Sequence, residues 1–162
     1  MNVLFINASP NKEGVTVKWA AKVLAGITYE SLHLVDFTIN QLGQVREEDE
    51  FQQVMAAVKH ADCLVIGTPI YWWDVSGLLK TFIDRWTELF QAGLEGSEAP
   101  LYHLPVYWIV QGANANESIN EIKKMLKNVC ARFFIENKAI VYQKQQILSI
   151  NDEIKVLVGN KF

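Results

Sequence analysis

The sequence predicts a three-layer α/β fold, a parallel sheet with helices on both faces. Two observations carry this. Strand-length apolar runs take turns with segments of helical spacing along the chain, and those runs are continuously apolar, as strands covered on both faces must be.

The elements follow in order. "NVLFI" (2–6) is the first strand, and Thr16 to Leu24 has helical spacing. "ESLHLVD" (30–36) alternates as a second strand; "EEDEFQQVMAAVKHA" (47–61) is a helix with acids in its first turn, where the helix dipole favours them. "DCLVIGT" (62–68) is the third strand, with Pro69 expected to end it near Thr68 because proline cannot donate to a ladder. Val75, Leu78, Leu79, Phe82, Ile83, Trp86, Leu89 and Phe90 then mark one face of a helix that Asp74 or Ser76 would cap. "LPVYWIVQ" (104–111) is the fourth strand. Ser118 and Glu121 suggest a capping box ahead of an amphipathic helix through Phe133, and "KAIVYQ" (138–143) is the fifth strand.

Right-handed crossovers place every strand-to-helix loop on one sheet edge, where open α/β sheets bind ligands. Three loops meet there. "NASPNKEGVT" (7–16) lacks both the dinucleotide and the nucleoside-triphosphate glycine patterns, yet it offers the Ser9 and Thr16 hydroxyls, Asn11 and Lys12 beside a helix N-terminus. It reads equally as a phosphate cradle or as a polar turn with a cap. "PIYWWD" (69–74) sets three aromatics at the edge, as a wall for a flat ligand or as packing. "QGANANES" (111–118) suits close backbone approach or capping.

Composition narrows the classes. Of 162 residues, 50% are hydrophobic, enough for one domain over 1–162 that buries roughly 70% of its unfolded surface. The net charge of −3 comes without a basic stripe, which argues against nucleic acid and anionic lipid as partners. No apolar stretch approaches the ~18 residues of a membrane span, and the start lacks a basic leader, so a cytoplasmic protein is expected. His33, His60 and His103 lack metal-ligand spacing, while Cys63 and Cys130 lack a C-x-x-C partner and read as buried apolar residues. Lys80, Asp84 and Arg85 read as a solvated helix surface.

The stretch "TPIYWWDVSGLLKTFIDRW" (68–86), with "NASPNKEGVT" upstream and "AD" (61–62) opening the third strand, resembles the flavodoxin-like NAD(P)H-dependent FMN reductase family. The resemblance implies a flavodoxin-like five-stranded parallel sheet of order 2-1-3-4-5, with FMN at the switch point between strands 1 and 3. Carried over by position, Ser9, Asn11, Val15 and Thr16 would hold the phosphate. Pro69, Ile70, Tyr71 and Trp72 would line the isoalloxazine, and Gly112 and Ala113 would approach its other side. No side chain would be a nucleophile: NAD(P)H would supply hydride to FMN, which would reduce a small acceptor, a quinone, nitro or azo compound or free flavin. Tyr71 and Trp72 would shape the acceptor slot, with Trp73 serving either it or a subunit contact.

Two departures from the family pattern bear on this. The cysteine-rich insert of the iron–sulfur branch is replaced by "FTINQLGQVR" (37–46), so no cluster and no metal are expected. The terminal "KQQILSINDEIKVLVGNKF" (144–162), with Asn151-Asp152 between apolar runs, suggests a hairpin in place of the fifth helix. That would leave one sheet face bare, and either that face or the aromatic rim is expected to be buried in a homodimer or higher homo-oligomer, which the resemblance also implies. Two rival readings are a one-electron flavodoxin-type carrier and a non-catalytic binding or regulatory protein on the same fold. The last gains if Ser9 and Thr16 do not face a common anion site.

Overall fold

The computed structural model describes residues 1–159. Five parallel strands form its sheet: β1 (Val3–Asn7), β2 (Tyr29–His33), β3 (Cys63–Tyr71), β4 (Pro105–Gln111) and β5 (Glu136–Val141). Their order is β2-β1-β3-β4-β5, as the resemblance implied. The register sets Asn7 beside both His33 and Gly67, and Pro69 beside Gln111, so the carboxyl ends of four strands share one edge.

Five helices cover the sheet: α1 (Val15–Val23), α2 (Phe51–Lys59), α3 (Gly77–Arg85), α4 (Ala115–Arg132) and α5 (Ile147–Gly159). Alternate strand residues point to opposite faces. Leu4, Ile6, Leu64, Ile66 and Trp108 therefore pack under α2, α3 and α4. Phe5, Val65, Tyr107 and Ile109 pack under α1 and α5. Both layers are apolar and buried, which is why the strands read as continuous apolar runs.

The expected terminal hairpin is incorrect: residues 147–159 form α5, and residues 160–162 of that stretch lie outside the described residues. Ile147, Ile150, Ile154 and Leu157 recur at three- and four-residue spacing and pack with α1 on the sheet. Asn151, taken for a turn residue, is buried; its Nδ2 donates to the Val23 and Ala25 carbonyls at 2.8 and 3.0 Å, satisfying the C-terminal end of α1. No sheet face is left bare by a missing fifth helix.

Several boundaries also differ. Helix α3 ends at Arg85, where the apolar face expected to run on to Phe90 breaks into a 3-10 turn over Trp86–Glu88 and a four-residue helix over Leu89–Ala92; the strand expected over 30–36 ends at His33, and β5 covers Glu136–Val141 instead of 138–143. Helix α2 begins at Phe51, so the acids at 47–50 precede it. Helix α4 begins at Ala115, and Ser118 Oγ donates to the Asn114 carbonyl from inside the first turn, so Ser118 and Glu121 do not form a capping box. Strand β3 runs through Pro69 to Tyr71 instead of ending at Thr68. Proline is tolerated there because β1 has ended at Asn7, opposite Gly67.

Arg85 is not on a solvated surface. Its side chain is 2% exposed and that of Asp49 is 7%. The guanidinium forks onto the Asp49 carboxylate at 2.6 and 3.0 Å, donates to the Asn40 carbonyl at 2.9 Å and also pairs with Glu88. One charged side chain thereby pins the 37–50 segment to the end of α3. No helix among the described residues is long and apolar enough to cross a membrane.

Candidate functional site

Loop 1, between β1 and α1, is organised by a residue that the motif reading passed over. Asn7 is fully buried at the end of β1. Its Oδ1 accepts from Ser9 N at 3.1 Å, and its Nδ2 reaches the Ser9 carbonyl and His33 Nδ1 at 3.3 and 3.0 Å. A short amide at a strand terminus was the available signal, since such side chains bond to nearby backbone.

Downstream, Ser9 Oγ accepts from Asn11 N at 3.1 Å, and Asn11 Oδ1 from Glu13 N at 2.9 Å. Lys12 reaches Asp36 at 2.8 Å in an exposed pair. Helix α1 then starts with Gly14 at its N-cap and no side-chain cap. The N–H groups of Gly14, Val15, Thr16 and Val17 meet no acceptor among the described residues, as expected for a first helical turn. Thr16 is buried with its Oγ1 accepting from Gln111 Nε2 at 2.9 Å, whereas Val15 is about half exposed.

Each buried hydroxyl here already receives a hydrogen bond, so its own hydrogen remains to be given. Four backbone donors and two hydroxyl donors next to the positive end of α1 are the donor chemistry that an anion cradle would use.

Loop 2 is a hairpin tip. After Tyr71 the chain turns through Trp72 and Trp73 and returns as Asp74–Val75, antiparallel to β3. Trp72 is 89% exposed; Tyr71 and Trp73 are about half exposed. The two indoles lie 6.4 Å apart, and Trp73 Nε1 donates to Glu117 at the start of α4 at 3.1 Å. Ser76, not Asp74, caps α3, accepting from Leu79 N at 3.1 Å. The Ser76 hydroxyl donates to the Ala8 carbonyl at 2.7 Å, tying loop 2 to loop 1.

Both tip residues have positive φ, 51° and 65°. A two-residue turn with this requirement normally takes Asn-Gly, and a bulky residue in the left-handed region costs roughly 1–2 kcal/mol. Replacing Trp72-Trp73 by Asn-Gly should therefore raise the unfolding free energy by about 1–2 kcal/mol in a denaturant titration. An unchanged or lower midpoint would show that the tryptophans pack better than their backbone suggests.

Loop 3 approaches loop 2 through Gly112, where an added Cβ would lie 2.9 Å from the Ile70 Cβ. The glycine thus admits Ile70; that contact explains its small size without a ligand. Ala113 is exposed beside it. The N–H groups of Trp72, Trp73, Ala113 and Asn114 meet no acceptor among the described residues. Gly67 is a further residue missed in the sequence: its bare α-carbon faces Thr16 Cγ2, which a Cβ would meet at 2.6 Å. A glycine inside a strand was the signal for such an approach.

The structure therefore joins Ser9 to Asn11 within loop 1 and sets Thr16 in the first turn of α1 against Gly67 and Gln111, while the Val15 side chain is about half exposed. Pro69, Ile70 and Gly112 meet where loop 3 approaches loop 2, while Tyr71, Trp72 and Ala113 form the exposed rim. Burial pushes the thiols of Cys63 and Cys130 up to about 12, which leaves them inert at neutral pH. No group of His, Cys, Asp and Glu among the described residues could hold a metal. A cleft of about 480 Å³ at the opposite sheet edge is lined by Lys59, Asp62, His103 and Glu136 among others. Lys59 and Glu136 are already paired there, with Glu98 and Lys138, and it is the amino ends of β4 and β5, Pro105 and Glu136, that line it rather than any carboxyl strand end.

A family model described as NADPH-dependent FMN reductase matches residues 1–152. An iron-sulfur flavoprotein of Archaeoglobus fulgidus is 33% identical over 99 residues, covering 52% of this chain and 48% of that protein. The chain spans about half the length of the curated relatives it matches. An oxidoreductase of Corynebacterium diphtheriae superposes with a TM-score of 0.71 at 14% identity, covering 99% of this chain and 98% of that one. An FMN-dependent NADH-azoreductase of Bacillus anthracis, solved in complex with FMN, does so with a TM-score of 0.60 at 18% identity, covering 98% of each chain. At these identities the structural matches speak for the fold.

Proposed function

The chain belongs to the NADPH-dependent FMN reductase family, and from that premise we propose that it is an FMN-dependent NAD(P)H oxidoreductase acting on a small acceptor, a quinone, nitro or azo compound or free flavin. The observation that carries this is the cradle at α1, where two buried hydroxyls and four N–H groups have donors to give and no acceptor to give them to. A phosphate monoester accepts only, so the donor set fits it.

Bound FMN would supply the redox chemistry, taking hydride from NAD(P)H and passing electrons to the acceptor. The chain's own groups position and sort. The Ser9 and Thr16 hydroxyls and the N–H groups of residues 14–17 hold the phosphate; Asn11 fixes the loop through Glu13 N and Ser9 Oγ. Ile70, half-buried beside the buried Pro69, supplies a wall for the ring, and Gly112 lets loop 3 close against it. The N–H groups of Trp72, Trp73, Ala113 and Asn114 face no competing acceptor and serve the polar ring edge. Tyr71 and Trp72 offer flat apolar surface to a planar acceptor. Because the redox chemistry would be the flavin's, the protein needs no nucleophile of its own.

The exposed Trp72 and Trp73 are also proposed to be the contact between two copies of the chain, completing the acceptor slot. Sedimentation of a monomer at micromolar concentration would remove that part. Steady-state assays with FMN-loaded protein test the rest: acceptor-dependent oxidation of NADH or NADPH is the expected result. Bound flavin that turns over with no acceptor of these classes would favour a one-electron carrier.

A further inference from the structure

We infer that Gln111 is a positioning residue for flavin-phosphate recognition: from the end of β4 it fixes the Thr16 hydroxyl as a hydrogen-bond donor toward the anion cradle. The inference rests on the FMN reading above. It concerns a residue 95 positions away from its partner, on a strand that contributes nothing else to the cradle.

A threonine hydroxyl has one hydrogen and two lone pairs, and it turns freely unless something fixes it. Two contacts fix it here. The Thr16 methyl fills the space above Gly67, which sets the side chain's rotamer, and Gln111 Nε2 donates to Oγ1 at 2.9 Å. An amide nitrogen carries only hydrogens, so the Thr16 hydrogen is directed elsewhere. No acceptor for it lies among the described residues, although helical threonines commonly bond back to a carbonyl three or four residues earlier. The hydrogen is therefore left for an acceptor that the described residues do not supply, next to the unpaired N–H groups of its own helical turn.

Ser9 repeats the pattern, its oxygen filled by Asn11 N. Ser9 is pinned from within its own loop. Thr16 is pinned from β4, so the residue that precedes Gly112 also sets the phosphate end of the site. An acceptor-only ligand group rewards two hydroxyls held as donors, whereas an uncharged ribityl hydroxyl, which accepts and donates, gains less from them.

The test compares FMN with riboflavin, which lacks the phosphate, by fluorescence titration of the purified apoprotein. Gln111→Met removes the donor at similar length, and should weaken FMN binding about three- to tenfold, the worth of one hydrogen bond, with riboflavin unchanged. Gln111→Glu turns the partner into an acceptor that takes the Thr16 hydrogen, and should weaken FMN further with little effect on riboflavin. Thr16→Val should remove most of the Met variant's penalty, so that the double variant binds FMN about as well as Thr16→Val alone. Equal weakening of both flavins, or losses that add in the double variant, would make Gln111 merely structural and overturn the inference alone. An unaltered protein that binds neither flavin would overturn both this inference and the FMN reading.

Discussion

Asp49→Ala is expected to destabilise the fold by about 3–5 kcal/mol, because it leaves the Arg85 guanidinium buried without its main partner. Arg85 is 2% exposed in its side chain, and the fork onto Asp49 supplies two of its hydrogen bonds. Glu88 still faces it, but that carboxylate is 31% exposed and bonds Nε alone. Domains of this size are stable by only about 5–15 kcal/mol, so the loss should be plain in a urea titration. Restoring balance by removing both charges, as Asp49→Leu with Arg85→Met, should recover a large part of it. A double variant no more stable than the single one would mean that the pair itself, not the orphaned charge, holds the segment.

The same pair sets an acid limit. The Arg85 guanidinium beside it holds the Asp49 carboxyl down to about 2 in the folded chain. A carboxyl depressed by folding contributes stability above its unfolded value, and that contribution is lost as pH falls through the folded one. Stability should thus decline below the ordinary carboxylate range toward pH 2, and less steeply in Asp49→Asn.

Gly67→Val should have the second large effect, acting on the fold and the site together. A Cβ at this position would lie 2.6 Å from Thr16 Cγ2 and 3.1 Å from the Phe5 ring, both buried. Thr16 is stiff at its branched Cβ and sits in the first turn of α1, so the strain must move the helix start. Overpacking of this kind typically costs about 1–3 kcal/mol. The displaced cradle should lose FMN affinity by more than the stability loss alone explains, about tenfold, measured at a temperature where the variant remains folded. Unchanged FMN affinity in a folded variant would put the phosphate elsewhere.

The alternation of elements was legible because a sheet covered on both faces must be built from continuous apolar strands, as Val65 and Ile66, buried on opposite faces, illustrate; the strand order followed from the family resemblance. What escaped the sequence depended on contacts across the fold. Asn151-Asp152 has the composition of a turn, and it outweighed the helical spacing of Ile147, Ile150, Ile154 and Leu157 that was present in the sequence; packing against α1 settles the segment as a helix. Arg85 shares its helix with the exposed Lys80–Asp84 pair, and its burial follows from Asp49, 36 residues away. Pro69 stops a strand that has neighbours on both sides, and here β1 had already ended. Of the candidate site, Ser9 and Thr16 could be chosen by residue type and loop position. Asn7 and Gly67 carried only general signals, a short amide at a strand end and a glycine inside a strand, and Gln111 carried none; each acts through a partner that the chain brings near only on folding.

The central claim is that this chain holds FMN and lets NAD(P)H reduce it. Its most direct test is an anaerobic one: load the protein with FMN, remove the excess, add NADH or NADPH, and follow the flavin's visible absorbance. The account predicts stoichiometric retention of FMN and full bleaching by at least one nicotinamide donor. Retained flavin that dithionite bleaches and neither NADH nor NADPH does, or a protein that retains no FMN, would contradict it.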